Sequence, residues 1–319
     1  MTDKSLELIV IEQTNYTTTN KNIYRLLSIL CHLFPIILMN MKKRILFLLF
    51  CITIAFFSKS ATVDTISVYS NAMHKSFKCV VIKPDSYKKF THKGGENDNY
   101  PVVYLLHGHA GWYSNWIIRV PELKNYADNY QFIIVCPDGG YSSWYFDSPV
   151  DSTMKYETYI GTEIPGYIDA HYHTLKDRKA RAITGLSMGG HGALFLAFRH
   201  AGSFGACGSM SGGVDLNASR NKFDIMKRIG DTITNADNWK KYSVINVIET
   251  YPKDSLAIII DCGTDDIFFS INHSLHEKMV ELKIPHDYIE RPGKHEWPYW
   301  RNSVKYQLLF FRDYFNRNK

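Results

Sequence analysis

A serine between closely spaced glycines is the strongest chemical signal in this sequence. Residues 185–189 read G-L-S-M-G, with Ser187 at the centre. A strand-like run precedes them at 180–184, and an apolar helical run follows from Gly190. A serine on a sharp strand-to-helix turn exposes its hydroxyl in a cleft, and small flanking residues let the two backbones pack closely. The pattern predicts a nucleophilic serine. The alternative is a glycine-rich turn whose serine has no chemical role.

A nucleophilic serine needs partners, because its hydroxyl reacts only when a base takes the proton and an acid orients the base. In enzymes with such an elbow, the acid and then the histidine follow the serine along the chain. The strand-like run at 256–261 leads into a loop that holds Asp265 and Asp266. Only one of them can be the acid. We favour Asp266, because one more residue past Gly263 gives its side chain reach toward the cleft.

Four histidines follow Asp266 and are candidates for the base. His273 and His276 fall in a predicted helix, and His286 stands at the start of the last predicted strand. His295 comes just after that strand, behind a Pro-Gly turn, which is the expected place for the base. We therefore predict that His295 takes the serine proton.

Ester chemistry also requires donors for the negative charge that develops on the carbonyl oxygen. One should be the backbone amide of Met188, directly after the serine, and the other the amide of His109. The glycines on both sides of His109 let that backbone turn inward. His107 and His109 also form an H-x-H pair, but no carboxylate cluster accompanies it, so we expect no metal site.

Aromatic residues make up 14% of the chain, and several fall in loops near the predicted cleft. Core packing explains most aromatic side chains in a protein of this size. We predict that Trp112, Trp144 and Trp297 contact substrate, in a pocket suited to a sugar or a phenolic acyl group.

The first 60 residues differ in character from the rest. Residues 41–44 are a basic start, residues 45–57 are uncharged and apolar, and small residues follow. This pattern predicts a signal peptide at 41–60 and export to a secreted or periplasmic location. Residues 1–40 are then an over-extended start. A lipid anchor on Cys51 is less favoured, because bulky Phe50 precedes it.

Charge gives little reason to expect a nucleic acid partner. Residues 1–60 contribute +4 of the formal net charge of +6, so the remainder is near neutral at about +2. No basic stripe interleaved with aromatics is present in that remainder. The apolar run at 45–57 is also shorter than the roughly 20 residues of a spanning helix, so we expect no stable membrane insertion after signal cleavage.

From about residue 62 onward, strand-like and helix-like runs alternate. This order predicts an α/β fold with a mostly parallel sheet and helices on both faces. Residues 88–100 are predicted to be a polar surface loop, and residues 216–255 a small helical insertion able to cap the cleft. The four cysteines after the leader lie in apolar runs without a C-x-x-C pair, which favours buried free thiols. One disulfide stays possible in an exported protein.

Five motifs in order carry a family resemblance. They are L-L-H-G at 105–108, C-P-D-G at 136–139, G-L-S-M-G-G-H-G-A at 185–193, C-G-T-D-D at 262–266 and G-K-H-E-W at 293–297. Together they resemble the esterase D / antigen 85-like family, which includes carbohydrate esterases of the feruloyl and acetylxylan type, S-formylglutathione hydrolases and mycolyltransferases. The resemblance implies an α/β-hydrolase fold over 61–319 as one domain.

The resemblance also implies a set of roles: Ser187 as nucleophile, Asp266 as acid, His295 as base and the amides of His109 and Met188 as the oxyanion hole. It implies no metal or organic cofactor. We therefore expect an exported serine carboxylesterase acting on a small-molecule or polysaccharide ester. The alternatives are an acyltransferase of the same fold, a thioesterase similar to S-formylglutathione hydrolase, or a non-catalytic carbohydrate-binding relative.

Overall fold

A single eight-stranded sheet organises the protein, in the spatial order β1-β2-β4-β3-β5-β6-β7-β8. The structure is a computed structural model that describes residues 60–87, 99–252 and 255–318. Strands β3 to β8 are mutually parallel, whereas β1 and β2 pair antiparallel at one edge. The strands are β1 (Thr62–Ser70), β2 (Lys75–Lys83), β3 (Val102–Leu106), β4 (Ile133–Pro137), β5 (Arg181–Gly185), β6 (Ala206–Met210), β7 (Ala257–Gly263) and β8 (Asp287–Arg291).

Ten helices surround the sheet in the described part of the chain. Two hydrophobic clusters, one on each face, fill the space between the helices and the strands. The helices are α1 (Asn115–Arg119), α2 (Leu123–Tyr130), α3 (Tyr156–Thr158), α4 (Ile164–His171), α5 (Met188–Arg199), α6 (Ile225–Ile229), α7 (Ala236–Tyr242), α8 (Val244–Val247), α9 (Phe269–Glu281) and α10 (Trp297–Arg317).

The central strands are buried on both faces, and their sequences show why. Every residue of β3 (V-V-Y-L-L) and of β4 (I-I-V-C-P) is buried. Alternate residues face opposite helix layers: Tyr104 lies in the cluster with α4 and α5, and Leu105 in the cluster with α1, α2 and α10. Continuous apolar runs are typical of parallel strands covered on both sides. The predicted α/β-hydrolase fold with helices on both faces is confirmed.

The strand-like runs predicted at 180–184 and 256–261 correspond to β5 (Arg181–Gly185) and β7 (Ala257–Gly263). The sequence predicts a helix at 157–171 with a kink or restart at Pro165 and Gly166, and the structure shows a π-helical turn at Tyr159–Glu163, between α3 and α4. Pro165 lies directly after this turn, at the start of α4, and its missing N–H removes one donor from the helical stretch. Helix α1 was not predicted, because its five residues are too short for a periodic pattern.

The insertion between β6 and β7 is helical, as predicted. It contains a 3₁₀ turn at Leu216–Ser219 and the short helices α6, α7 and α8. At its corner, Phe223 and Asp224 both have positive φ angles, of 56° and 57°. Such angles are unfavourable for a phenylalanine, so the surrounding contacts must hold this corner in place.

Cys79, Cys136, Cys207 and Cys262 are buried free thiols, which confirms the favoured prediction over a disulfide between them. Among the described helices, none combines the length and apolar character needed to cross a membrane. The predicted leader with Cys51, the over-extended start and most of the loop at 88–100 lie outside the described residues, and they stay predictions.

Candidate active site

Ser187 stands at the turn between β5 and α5 with a strained backbone, φ 54° and ψ −116°. Its N–H donates to the carbonyl of Met210 at 2.9 Å, which fixes the turn to the end of β6. The neighbouring glycines leave space for this geometry. A Cβ on Gly185 would lie 2.6 Å from the carbonyl carbon of Gly189, and a Cβ on Gly189 would lie 2.6 Å from the carbonyl oxygen of His107. Since these contacts are with backbone atoms, larger residues would force the strand and helix apart.

Three predicted side chains meet at this turn. Ser187 Oγ lies 2.8 Å from His295 Nε2, although 108 residues separate them in sequence. His295 Nδ1 lies 2.9 Å and 3.0 Å from the two carboxylate oxygens of Asp266. Asp265 is exposed and its side chain has no contact with His295. The structure thus brings Asp266, not Asp265, to the histidine.

The parallel sheet explains how distant residues meet. Ser187 follows β5, Asp266 follows β7 and His295 follows β8, so all three come from the carboxyl ends of parallel strands. These ends lie at the same edge of the sheet, where α/β proteins place their ligand sites. The loop with His109 follows β3 and opens at this edge too.

Aromatic rings hold the imidazole of His295 in place. Phe268 and Trp300 both pack edge-on to it, with ring centroids 5.0 Å and 4.9 Å away. The N–H of Phe268 also donates to Asp266 Oδ1 at 2.8 Å. The acid and the base are therefore both oriented by the segment at 266–268. Phe268 was not predicted, although its place two residues after the acid could have indicated it.

The predicted oxyanion donors are free to bind an oxygen atom. Within the described residues, no backbone carbonyl accepts a hydrogen bond from the amide of His109 or Met188. Their neighbours are fixed: Ala110 N–H donates to Tyr141 O at 2.8 Å, and Gly111 N–H donates to Gly108 O at 3.0 Å. Two such amides close to Ser187 are the donors that the predicted oxyanion hole requires.

The side chain of His107 is hydrogen-bonded to backbone groups at and near this loop. Its Nδ1–H donates to Gly108 O at 2.8 Å, and its Nε2 accepts from Gly139 N–H at 2.8 Å. Burial lowers the pKa of His107, which keeps the ring neutral, as this pair of hydrogen bonds requires. Both ring nitrogens are engaged, so the H-x-H pair is not arranged for a metal. Across residues 60–87, 99–252 and 255–318, no three His, Cys, Asp or Glu side chains could hold a metal ion together.

The insertion reaches the site through Phe223 and Asp224. The ring of Phe223 lies between His109 and Phe268, with centroids 5.5 Å and 6.0 Å away. Asp224 Oδ2 lies 3.8 Å from His109 Nε2, too far for a hydrogen bond, and burial lowers the pKa of His109. Neither residue was predicted, because the irregular insertion carries no motif that indicates them.

The three tryptophans predicted to contact substrate lie in different surroundings. Trp112 is 48% exposed on the oxyanion loop, as a substrate contact requires. Trp297 is half-buried against Trp116, at a ring distance of 5.3 Å. Trp144 is only 1% exposed, and its Nε1–H donates to Phe223 O at 3.0 Å. The structure corrects the expectation for Trp144: it supports the corner of the insertion from within the core.

Comparison with known proteins shows the family to which the chain belongs. The model of the Esterase family matches residues 70–311. The chain belongs to this family. The resemblance to esterase D and antigen 85-like proteins, inferred from five motifs, is thereby confirmed.

Several relatives show how the family varies. An acetyl esterase of Caldicellulosiruptor saccharolyticus is 26% identical over 254 residues, which cover 75% of this chain and 94% of the relative. Diacylglycerol acyltransferase/mycolyltransferase Ag85A of Mycobacterium tuberculosis is 35% identical over 147 residues, or 43% of this chain and 42% of the relative. Esterase Rv1288 of Mycobacterium tuberculosis is 27% identical over 67% of this chain. The chain spans about half of that relative's length, 51%.

Among solved structures, a ferulic acid esterase matches with a TM-score of 0.68 and 28% identity. The match covers 81% of this chain and 100% of the esterase. This chain therefore shares its fold with an esterase.

Proposed function

We propose that this protein is a serine carboxylesterase that works through an acyl-enzyme. One observation carries the proposal: a continuous hydrogen-bonded line from Ser187 Oγ through His295 to the carboxylate of Asp266. A nucleophile, a base and an orienting acid within hydrogen-bond reach are the arrangement that activates a serine hydroxyl.

In the first half of the reaction, Ser187 Oγ attacks the ester carbonyl carbon and His295 Nε2 takes its proton. The carbonyl oxygen becomes an oxyanion and accepts hydrogen bonds from the amides of His109 and Met188. The tetrahedral intermediate then loses the alcohol, which receives the proton from Nε2. The acyl group stays on Ser187 as an ester.

In the second half, water replaces the alcohol. His295 Nε2 takes a proton from the water as it attacks the acyl-enzyme, and returns it to Ser187 Oγ when the acid leaves. Asp266 accepts a hydrogen bond from Nδ1–H throughout, which keeps Nε2 free to exchange protons. Every proton transfer in this cycle passes through His295 Nε2.

The substrate we propose is a neutral ester of a short-chain or aromatic acid, on a small molecule or a plant polysaccharide. The rings of Phe223 and Phe268 lie between the oxyanion loop and His295, which suits an apolar group. Similarity to an acetyl esterase and a ferulic acid esterase supports these acyl groups.

Acyl transfer is a second candidate, because a chain segment is 35% identical to an acyltransferase. In that reaction a sugar hydroxyl would take the place of water in the second half. Product analysis of one ester with and without a sugar acceptor separates the two. Transfer product that exceeds free acid at millimolar acceptor would favour the acyltransferase.

The experiment that tests the main proposal compares Ser187→Ala with Ser203→Ala on p-nitrophenyl acetate. Ser203 lies in the loop between α5 and β6, away from the site, and serves as the matched control. We expect Ser187→Ala to lose hydrolysis and covalent labelling by a fluorophosphonate, while Ser203→Ala keeps both. Labelling of Ser187→Ala at the wild-type rate would overturn the assignment.

We also propose that the enzyme is exported, on the basis of the basic start and apolar run at 41–57. N-terminal sequencing of the protein from the culture medium or the periplasm tests this. A mature chain that begins near residue 61 is expected. A chain that retains residues 1–40 would contradict it.

A further inference from the structure

A fully buried carboxylate lies beneath the candidate site. Asp261, near the end of β7, is 0% exposed. It forms an ion pair with Arg291 at the end of β8, and it accepts a hydrogen bond of 2.5 Å from the hydroxyl of Tyr299 in α10. Burial of an ionised carboxylate is costly unless charge pairing and hydrogen bonds offset it. Such a group at a strand end therefore calls for a functional reason.

Asp261 and its two partners lie close in sequence to Asp266 and His295. Asp261 comes five residues before Asp266, Arg291 four residues before His295, and Tyr299 four residues after it. The ion pair and the hydrogen bond therefore link the chain on both sides of His295 to the strand that carries Asp266.

The backbones of the two loops are also joined directly. Thr264 N–H donates to Arg291 O at 2.9 Å, and Asp265 N–H donates to Gly293 O at 3.0 Å. The contact is close: a Cβ on Gly263 would lie 2.3 Å from Gly293 O. The loop that carries Asp266 and the loop that carries His295 are therefore hydrogen-bonded to each other. The ion pair between Asp261 and Arg291 adds a side-chain link between the two strands that lead into these loops.

The same residue connects to the nucleophile. Ser211 N–H donates to the carbonyl of Asp261 at 2.7 Å, and the preceding residue, Met210, accepts the N–H of Ser187 at 2.9 Å. Hydrogen bonds and short stretches of chain thus connect Asp261 to all three members of the candidate triad.

We infer that Tyr299 and Arg291, through the carboxylate of Asp261, are positioning residues that set the distance between Asp266 and His295. They touch neither substrate nor the reacting atoms. The inference rests on the proposed serine esterase activity for its kinetic consequence. Its structural consequence, the geometry of the hydrogen bond between His295 and Asp266, can be observed without any substrate.

Tyr299→Phe is the sharpest test, since it removes one hydroxyl and keeps the ring that packs against Gly293. We expect kcat on p-nitrophenyl acetate to fall roughly tenfold or more with KM within about twofold, because small displacements of catalytic groups are costly. The low-field proton resonance of His295 Nδ1–H should shift or broaden in the free enzyme. Tyr314→Phe, a buried tyrosine later in the same helix, should change neither.

Three outcomes would overturn the inference. In the first, Tyr299→Phe has the kcat and the proton resonance of the wild type. In the second, activity falls only in proportion to the unfolded fraction, as thermal unfolding would show, with the resonance unchanged. In the third, the resonance moves but kcat does not. Failure of the serine esterase proposal is distinguishable, because it would appear in Ser187→Ala while the resonance in Tyr299→Phe still reports on the two loops.

Discussion

The candidate site is built from two regions of different construction. The strand-end loops place Ser187, Asp266 and His295 on a parallel sheet whose hydrogen bonds fix their spacing. The insertion between β6 and β7 reaches the same cleft through Phe223 and Asp224, at a strained corner just before α6. In the proposed enzyme, the sheet edge holds the three residues of the triad, and the insertion forms one wall of the cleft.

Conversion of Asp266 to asparagine should produce the largest effect. An amide in place of the carboxylate no longer holds His295 in the tautomer that accepts the serine proton. We expect kcat for p-nitrophenyl acetate to fall roughly 10⁴-fold, by analogy with other triads. Asp265→Asn, which makes the same change one residue earlier on an exposed side chain, should stay within about threefold. Equal losses in the two variants would remove the geometric basis for choosing Asp266.

The sheet edge should also be intolerant of added volume. In Gly189→Ala, the new Cβ would lie 2.6–2.7 Å from backbone oxygens of His107 and Leu106, which cannot move without the strand. We expect the free energy of unfolding to fall by about 1–3 kcal/mol, with loss of activity. Gly166→Ala in α4 is the matched control, since no atom lies within 4 Å of its Cβ. It should be neutral or stabilise by up to about 1 kcal/mol. Denaturant unfolding of both variants measures the difference.

The contrast between the regions also decides what the sequence could predict. A strand such as Val102–Leu106 is apolar throughout because both of its faces are buried. Such a continuous apolar run can be recognised as a strand from the sequence. The turn at Ser187 could be predicted because its geometry needs glycines at fixed positions. Asp266 was favoured over Asp265 by reach alone, and the side-chain contact agrees.

What sequence could not predict depends on side-chain packing. Trp144 was expected in the cleft, but an aromatic residue in a loop has the same sequence signature whether it is buried or exposed. Phe223 and Asp224 were missed because their role comes from contacts with His109, which is more than a hundred residues away. Asp261 was predicted only as the last residue of a strand, and its partners become visible only in three dimensions.

Removal of the ring of Phe223 should change selectivity more than rate. The ring stands between the oxyanion loop and Phe268, so Phe223→Ala should give a longer acyl group more room. We expect the ratio of kcat/KM for butyryl over acetyl p-nitrophenyl esters to rise by up to about tenfold, the scale of a methylene in a pocket. Phe310→Ala, a half-buried phenylalanine of α10, is the control and should leave the ratio unchanged. An unchanged ratio in Phe223→Ala would show that the acyl group does not bind next to Phe223.

The smallest expected effect concerns charge at the same corner. Asp224 is partly exposed, and Lys227 already lies 2.8 Å from one of its oxygens, so its field at the site is weak. Asp224→Asn should raise kcat/KM for an anionic ester such as p-nitrophenyl hemisuccinate, relative to p-nitrophenyl acetate, by about twofold to fivefold at low salt. The gain should vanish at high ionic strength, since exposed charges are screened there. Asp237→Asn removes the same charge from an exposed position of the insertion and should have no such effect. If both variants raised the relative kcat/KM for the anionic ester equally, the change would reflect the net charge of the protein. That result would contradict a role of the insertion in substrate selection.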